Sequence, residues 1–470
     1  MRVRSEVVAV AAAVTYVIGV AWAMNHLSYD VWGAFVLGPV LLAISYPLLR
    51  RLFTGDRADL LPLAVLGLLV KFAGAGVRYW ISYNAYLGYT DSTNYHRVGA
   101  AIAARARAGE MGPLEFIPHG LGTRFIEQLT GFVYTFAGSS RVGGSLVFAT
   151  LSFWGSVFYL LAGITAVPGL RRRWYAVLVF FAPTLVYWPS SVGKEAWMSF
   201  ALGLGTYGTA LLIARSHGRL RAFVIASAGF VGAAFVRPHV AAMWVAGAGV
   251  ALAVALVARQ RHRPRRLSFA GLPYRSGDRG DVASLGFGLL VAVLGLVVVA
   301  SVTLRYLDPM SGDDASGGFT ERVTRIFDET QRRSTEGGST ITPVVIEDPT
   351  DWPAAVVSTL ARPYPWEVDD LPSLLPGVEM VILVGLGVWS ARRIVTLPRQ
   401  FADAPFLLMV VCATFMFGLA FSSIANLGIL TRQRSLVLPF GALLICVPYR
   451  PKQVRRTRPA PVASSSLSVS

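Results

Sequence analysis

An acid, two phenols and an imidazole fall within the eight residues Tyr89-Thr90-Asp91-Ser92-Thr93-Asn94-Tyr95-His96. Asp91 has the chemistry of a general base for a sugar hydroxyl, or of a ligand for a divalent cation such as Mg or Mn, and Tyr95 and His96 could orient a sugar or a phosphate. The competing reading is a polar helix cap, because Asp and Ser favour helix starts and Tyr favours the membrane interface. A second group is the turn Pro189-Ser190-Ser191-Val192-Gly193-Lys194-Glu195. Arginine outnumbers lysine by 40 to 3 in this chain, so Lys194 is not what background usage supplies. A compact ammonium at a helix start can hold a phosphate beside free backbone N–H groups. The alternative is a tight turn with an incidental Lys194–Glu195 pair. It is not a nucleotide-binding loop, since Trp188 stands where the first glycine of that motif belongs.

Arg237-Pro238-His239 and Arg432-Gln433-Arg434 form the third and fourth groups. Guanidinium groups match phosphate oxygens bidentately, so two or three of them suit a phosphate or pyrophosphate leaving group; the alternative is snorkelling to lipid phosphate. Lys71, inside an apolar run, either lines a cavity or reaches the interface. These groups come from separate connections, and the reading expects Asp91, Tyr95, His96, Lys194, Glu195, Arg237, His239, Arg432 and Arg434 to gather on one face.

The elements that must position them are membrane helices. The chain has 470 residues, 54% hydrophobic and 15% charged, with a mean hydropathy of +0.54, which excludes an ordinary soluble multidomain protein. A net charge of +17 would point to nucleic acid if the basic residues formed one patch; they lie in short clusters between apolar runs, which excludes a nucleic-acid partner. Apolar runs at 7–24, 31–49, 60–80, 143–166, 174–189, 195–214, 222–236, 240–258, 284–304, 374–391, 404–423 and 435–448 predict an all-α, polytopic protein of about 12 spans, within a range of 11–13. Twelve spans put both termini on one side, and the Arg-rich alternate connections assign that side to the cytoplasm. The run at 7–24 is long for a signal peptide and reads as an uncleaved first helix. Cys412 and Cys446 sit in apolar runs without metal-ligand spacing and read as packing residues.

The membrane domain extends over 1–448, with a basic, then Ser-rich disordered tail at 449–470. Two outer segments are long. Residues 84–142 include an Ala- and Arg-bearing stretch, Val98 to Ala108, suited to an interfacial helix. Residues 305–373 hold half of the 26 acids and read as an extracytoplasmic cap or mobile loop.

With these features the sequence resembles the bacterial membrane glycosyltransferases of the GT-C fold and the related exopolysaccharide polymerases. The resemblance rests on Asp91 followed by Tyr95-His96, on the Pro-Ser-x-x-Gly-Lys-Glu turn at 189–195, and on the Arg-x-Arg at 432–434. It implies a GT-C-like fold in a bacterial plasma membrane and transfer of a sugar from a polyprenyl-phosphate or polyprenyl-diphosphate donor to an envelope glycan acceptor. It also implies that Asp91 is the essential acid of the first long outer loop. In many such enzymes that loop follows the first helix, whereas here it follows the third. A repeat-unit polymerase and a flippase for an anionic lipid are the alternatives; the flippase would need charges at depth on several spans, and these runs are nearly free of them.

The charge asymmetry makes the segment 305–373 and the turn at Lys194 extracytoplasmic. Cysteines introduced there should react with an impermeant thiol reagent in intact cells. Labelling only after lysis would reverse the orientation.

Overall fold

The apolar runs fold as helices, and proline and glycine decide where those helices break and how closely they approach. The computed structural model describes residues 2–112, 115, 117–214, 218–261, 340–344, 346, 348–368 and 371–450. Among these residues all regular structure is helical, with one isolated bridge, Thr340 to Asn426. The order is α1 (Arg2–His26), α2 (Tyr29–Leu52), α3 (Leu61–Asn84), α4 (Asp91–Arg107), α5 (Thr123–Ala137), α6 (Arg141–Ala166), α7 (Arg172–Phe181), α8 (Pro183–Tyr187), α9 (Lys194–Ala214), α10 (Arg219–Ala234) and α11 (Pro238–Arg261). There follow α12 (Trp352–Ala361), α13 (Leu371–Trp389), α14 (Ala391–Ile394), α15 (Phe406–Ala420), α16 (Leu427–Arg434) and α17 (Leu438–Cys446).

Five described helices are long and apolar enough to cross a membrane, or seven if two bent pairs each count as one span. They are fewer than the twelve expected runs, for physical reasons that differ along the chain. The run at 174–189 is two helices, because Pro183 holds Ala182 in an extended conformation and ends α7. The run at 435–448 contributes only the nine residues of α17, set at 58° to α16 with Pro439 in its first turn. The run at 284–304, most of the acidic segment 305–373 and the tail beyond 450 lie outside the described residues. The helix expected over 98–108 is longer, starting at Asp91 as α4.

The centre of the bundle is α6 packed on α9. In each, 72% of the most apolar window is buried, against 11% in α2, whose Phe35, Val36, Val40 and Ile44 face outward. Glycine sets the α6–α9 distance. A Cβ on Gly155 would stand 2.2 Å from the Ser199 carbonyl oxygen, and one on Gly203 would stand 2.4 Å from the Gly155 carbonyl oxygen. Small residues of this kind let helix backbones touch where no hydrophobic force drives them together.

The broken α7–α8 segment leaves backbone groups that a continuous helix would satisfy, and two ionisable side chains satisfy them. Glu379 Oε2, from α13, accepts from the Thr184 backbone N–H at 3.0 Å and from the Thr184 hydroxyl. Lys71 Nζ, from α3, donates to the Leu185 carbonyl at 2.5 Å and to Ser152 Oγ at 2.9 Å. Irregular backbone deep in a bundle survives only when it is satisfied in this way. Lys71 is thus buried and bonded to two acceptors, and neither lines the cavity described below nor reaches outward.

Gly155→Val should force α6 and α9 apart and cost about 1–3 kcal/mol of stability. Gly19→Val on α1, where a Cβ meets nothing within 4 Å, should leave the melting temperature unchanged. Thermal unfolding of both variants in detergent checks the contrast.

Candidate functional site

Four segments far apart in sequence converge at one end of the bundle on the Glu195 carboxylate. Glu195 is the second residue of α9 and only 4% exposed. Its Oε1 accepts from Arg237 Nη2 at 2.8 Å and from Arg432 Nε at 2.6 Å. Arg237 is placed by the short α10–α11 connection, immediately before Pro238 starts α11. Arg432 comes from α16. Its other edge reaches Asp91, with Nη1 2.9 Å from Oδ2.

Asp91 is the first residue of α4, after the extended Thr90, and its side chain is 60% exposed. It is not the N-cap, although an acid in the first turn is favoured by the helix dipole. Asp91, Arg432, Glu195 and Tyr95 all line a cavity of about 250 Å³, together with Arg78, Trp188 and the turn residues Ser191 to Gly193. Burial holds the Tyr95 phenol well above its ordinary range, so it stays protonated and can donate to an oxygen in the cavity.

The gathering expected from the sequence is partial. Asp91, Tyr95, Glu195 and Arg432 share the cavity, and Arg237 stands directly behind Glu195. Lys194, half-buried, feels Arg237, Glu195, Asp91 and Arg432 but has no carboxylate within 4 Å among the described residues, and it does not line the cavity. The Lys194–Glu195 pair read from the turn is therefore replaced by two arginine pairs. His239 packs against Phe421, with ring centroids 6.1 Å apart, outside the cavity wall.

Arg434 is a correction. It is 1% exposed, donates to the Arg362 carbonyl and lies in the field of Glu379, away from the cavity. Residues two apart on a helix face different ways, so Arg432 and Arg434 cannot both reach one ligand.

His96 is a second correction. Its Nδ1 lies 2.9 Å from the Tyr134 hydroxyl, its Nε2 lies 4.0 Å from Asp30, and it lines a smaller neighbouring cavity of about 20 Å³. Burial lowers its proton affinity more than Asp30 restores it.

Sequence reasoning passed over Arg78. It lies near the end of α3 and borders both cavities, with its guanidinium carbon 4.6 Å from the ring centres of Tyr187 and Trp188. The signal was a basic residue near the end of an apolar helix, on the same side as Asp91.

The acids at this site are engaged by guanidinium groups. One Asp91 oxygen faces a guanidinium, the Glu195 carboxylate is held by two, and no group of three His, Cys, Asp or Glu among the described residues could hold a metal. The chain matches no family model, no curated protein and no solved structure.

Removing one partner of a buried ion pair leaves the others uncompensated and costs about 3–5 kcal/mol. Glu195→Gln should lose stability on that scale, and adding Arg237→Gln should recover part of it. Strictly additive losses in chemical unfolding would show that these side chains do not act as one network.

Proposed function

We propose that this protein is a glycosyltransferase that moves a sugar from a polyprenyl-phosphate-linked donor to an envelope glycan acceptor, working at the outer face of a bacterial plasma membrane. On this reading the chain crosses the membrane about 12 times, in a GT-C-like arrangement, with both termini in the cytoplasm. The observation that carries the proposal is the exposed Asp91 carboxylate on a cavity whose wall also presents Arg432, itself anchored by buried Glu195. An acid that can take a proton thus stands beside cations that can take a phosphate.

The chemistry balances with these groups. The acceptor hydroxyl approaches the Asp91 oxygen that Arg432 does not hold and gives it a proton. Its oxygen then bonds to the anomeric carbon of the sugar, while the bond from that carbon to the phosphate oxygen breaks and its electron pair leaves with the lipid phosphate. Arg432 stabilises the charge that develops on that phosphate, and Tyr95 can donate a hydrogen bond to it. Glu195 and Arg237 hold Arg432 in place, so that its orientation costs nothing when the substrate arrives. A transport path for an anionic lipid would instead need charges free along the spans; Lys71 and Glu379 are both bonded to the α8 backbone.

Asp91→Asn keeps size and hydrogen-bonding capacity, and it loses one partly exposed ion pair worth up to about 1 kcal/mol. Transfer in membranes supplied with a lipid-linked sugar should fall about 10²–10⁴-fold while protein abundance holds. Near-normal transfer would leave Asp91 as a helix-start acid and sink the proposal.

A further inference from the structure

We infer that Arg78 is the anchor for the phosphate of the lipid-linked donor, a proposal that rests on the donor reading above. Its surroundings separate it from the other arginines at this end of the bundle. Arg432 is tied to Asp91 and Glu195, Arg237 to Glu195, and Arg141 to Asp30 at 3.1 Å. Arg78 borders the larger cavity and has no carboxylate within 4 Å among the described residues. No acid lines the smaller cavity on its other side. Among the described residues this cation, set between two cavities, has no counter-ion, and a bound anion would supply one.

The geometry holds that cation ready. Tyr187 and Trp188 meet at 77°, and the Arg78 guanidinium rests in the corner they make. Such cation–π contacts fix the plane of the group without using its N–H donors. Among the described residues its hydrogen bond is a long one, from Nε to Ser191 Oγ at 3.4 Å. The remaining edge is free to meet phosphate oxygens in the bidentate manner that guanidinium favours and ammonium does not. Ser82, Ser92 and Ser191 line both cavities beside it and supply neutral hydroxyls that an anion accepts from without competing charge. Arg78 and Arg432 come from different helices, α3 and α16, so a phosphate in the larger cavity can lie between them, next to Asp91.

The test uses the full chain in nanodiscs, with polyprenyl phosphate and inorganic phosphate as separate probes. Arg78→Gln should weaken polyprenyl phosphate binding on the order of tenfold or more, and Arg78→Lys should weaken it less. The melting temperature without probe should stay near that of the unaltered protein. If Arg78→Gln does not fold, Arg78→Lys and Ser191→Ala carry the comparison. Equal binding of polyprenyl phosphate by both arginine variants and the unaltered protein overturns the anchor and leaves the donor reading standing. Binding of inorganic phosphate that depends on Arg78, without any binding of the lipid, keeps an anion site and overturns the lipid-linked donor. Failure of both probes to bind the unaltered protein overturns both.

Discussion

The Glu195 carboxylate, buried at the start of α9, is the constraint on which the rest of this end of the molecule depends. A buried carboxylate without partners is very costly, and here two guanidinium groups answer it from positions 42 and 237 residues away. Satisfying it fixes the α10–α11 connection and the end of α16 against α9. Arg432 then has one edge inside and one at the cavity, where Asp91 meets it. A buried acid thereby orients a cation, and that cation orients an exposed acid. In the proposed reaction the buried member positions and the exposed member reacts.

The second constraint is the break at Pro183. A continuous helix there would need no side-chain partners, whereas the broken one needs Glu379 at its restarted end and Lys71 at its carbonyls. These two contacts hold α8 between α3 and α13, and the chain leaving α8 becomes the turn that carries Trp188 and Ser191 to Arg78. The irregular segment therefore shapes the cavity wall, and the two ionisable groups deepest in the apolar runs serve that backbone.

Packing explains why such a polar end can be held still. Gly155 and Gly203 bring α6 and α9 into backbone contact, leaving little room for α9 to slide or tilt. The start of α9, with Glu195 on it, inherits that rigidity. Sites on rigid helices keep their geometry better than sites on loops, and four of the cavity's charged groups, Arg78, Asp91, Glu195 and Arg432, stand on helices.

The sequence by itself determined the helical class, the membrane character and the short list of segments from which a polar site could be built. Apolar length, charge alternation and proline position are properties of the chain read in one dimension, and the segments around Asp91, Glu195, Arg237 and Arg432 stood out as polar interruptions in it. The length of each helix was less legible: the runs at 174–189 and 435–448 are apolar enough for spans, yet Pro183 and the bend between α16 and α17 divide them. Pairing was settled only by the tertiary structure. It turned Arg434 from the cavity toward Arg362, gave Glu195 two arginines in place of its neighbour Lys194, took His96 to Tyr134 and brought Arg78 to the cavity. The reason is rotational: each residue turns a helix by about 100°, so the direction of a side chain depends on how its helix is set against its neighbours, and spacing along the chain does not record that setting.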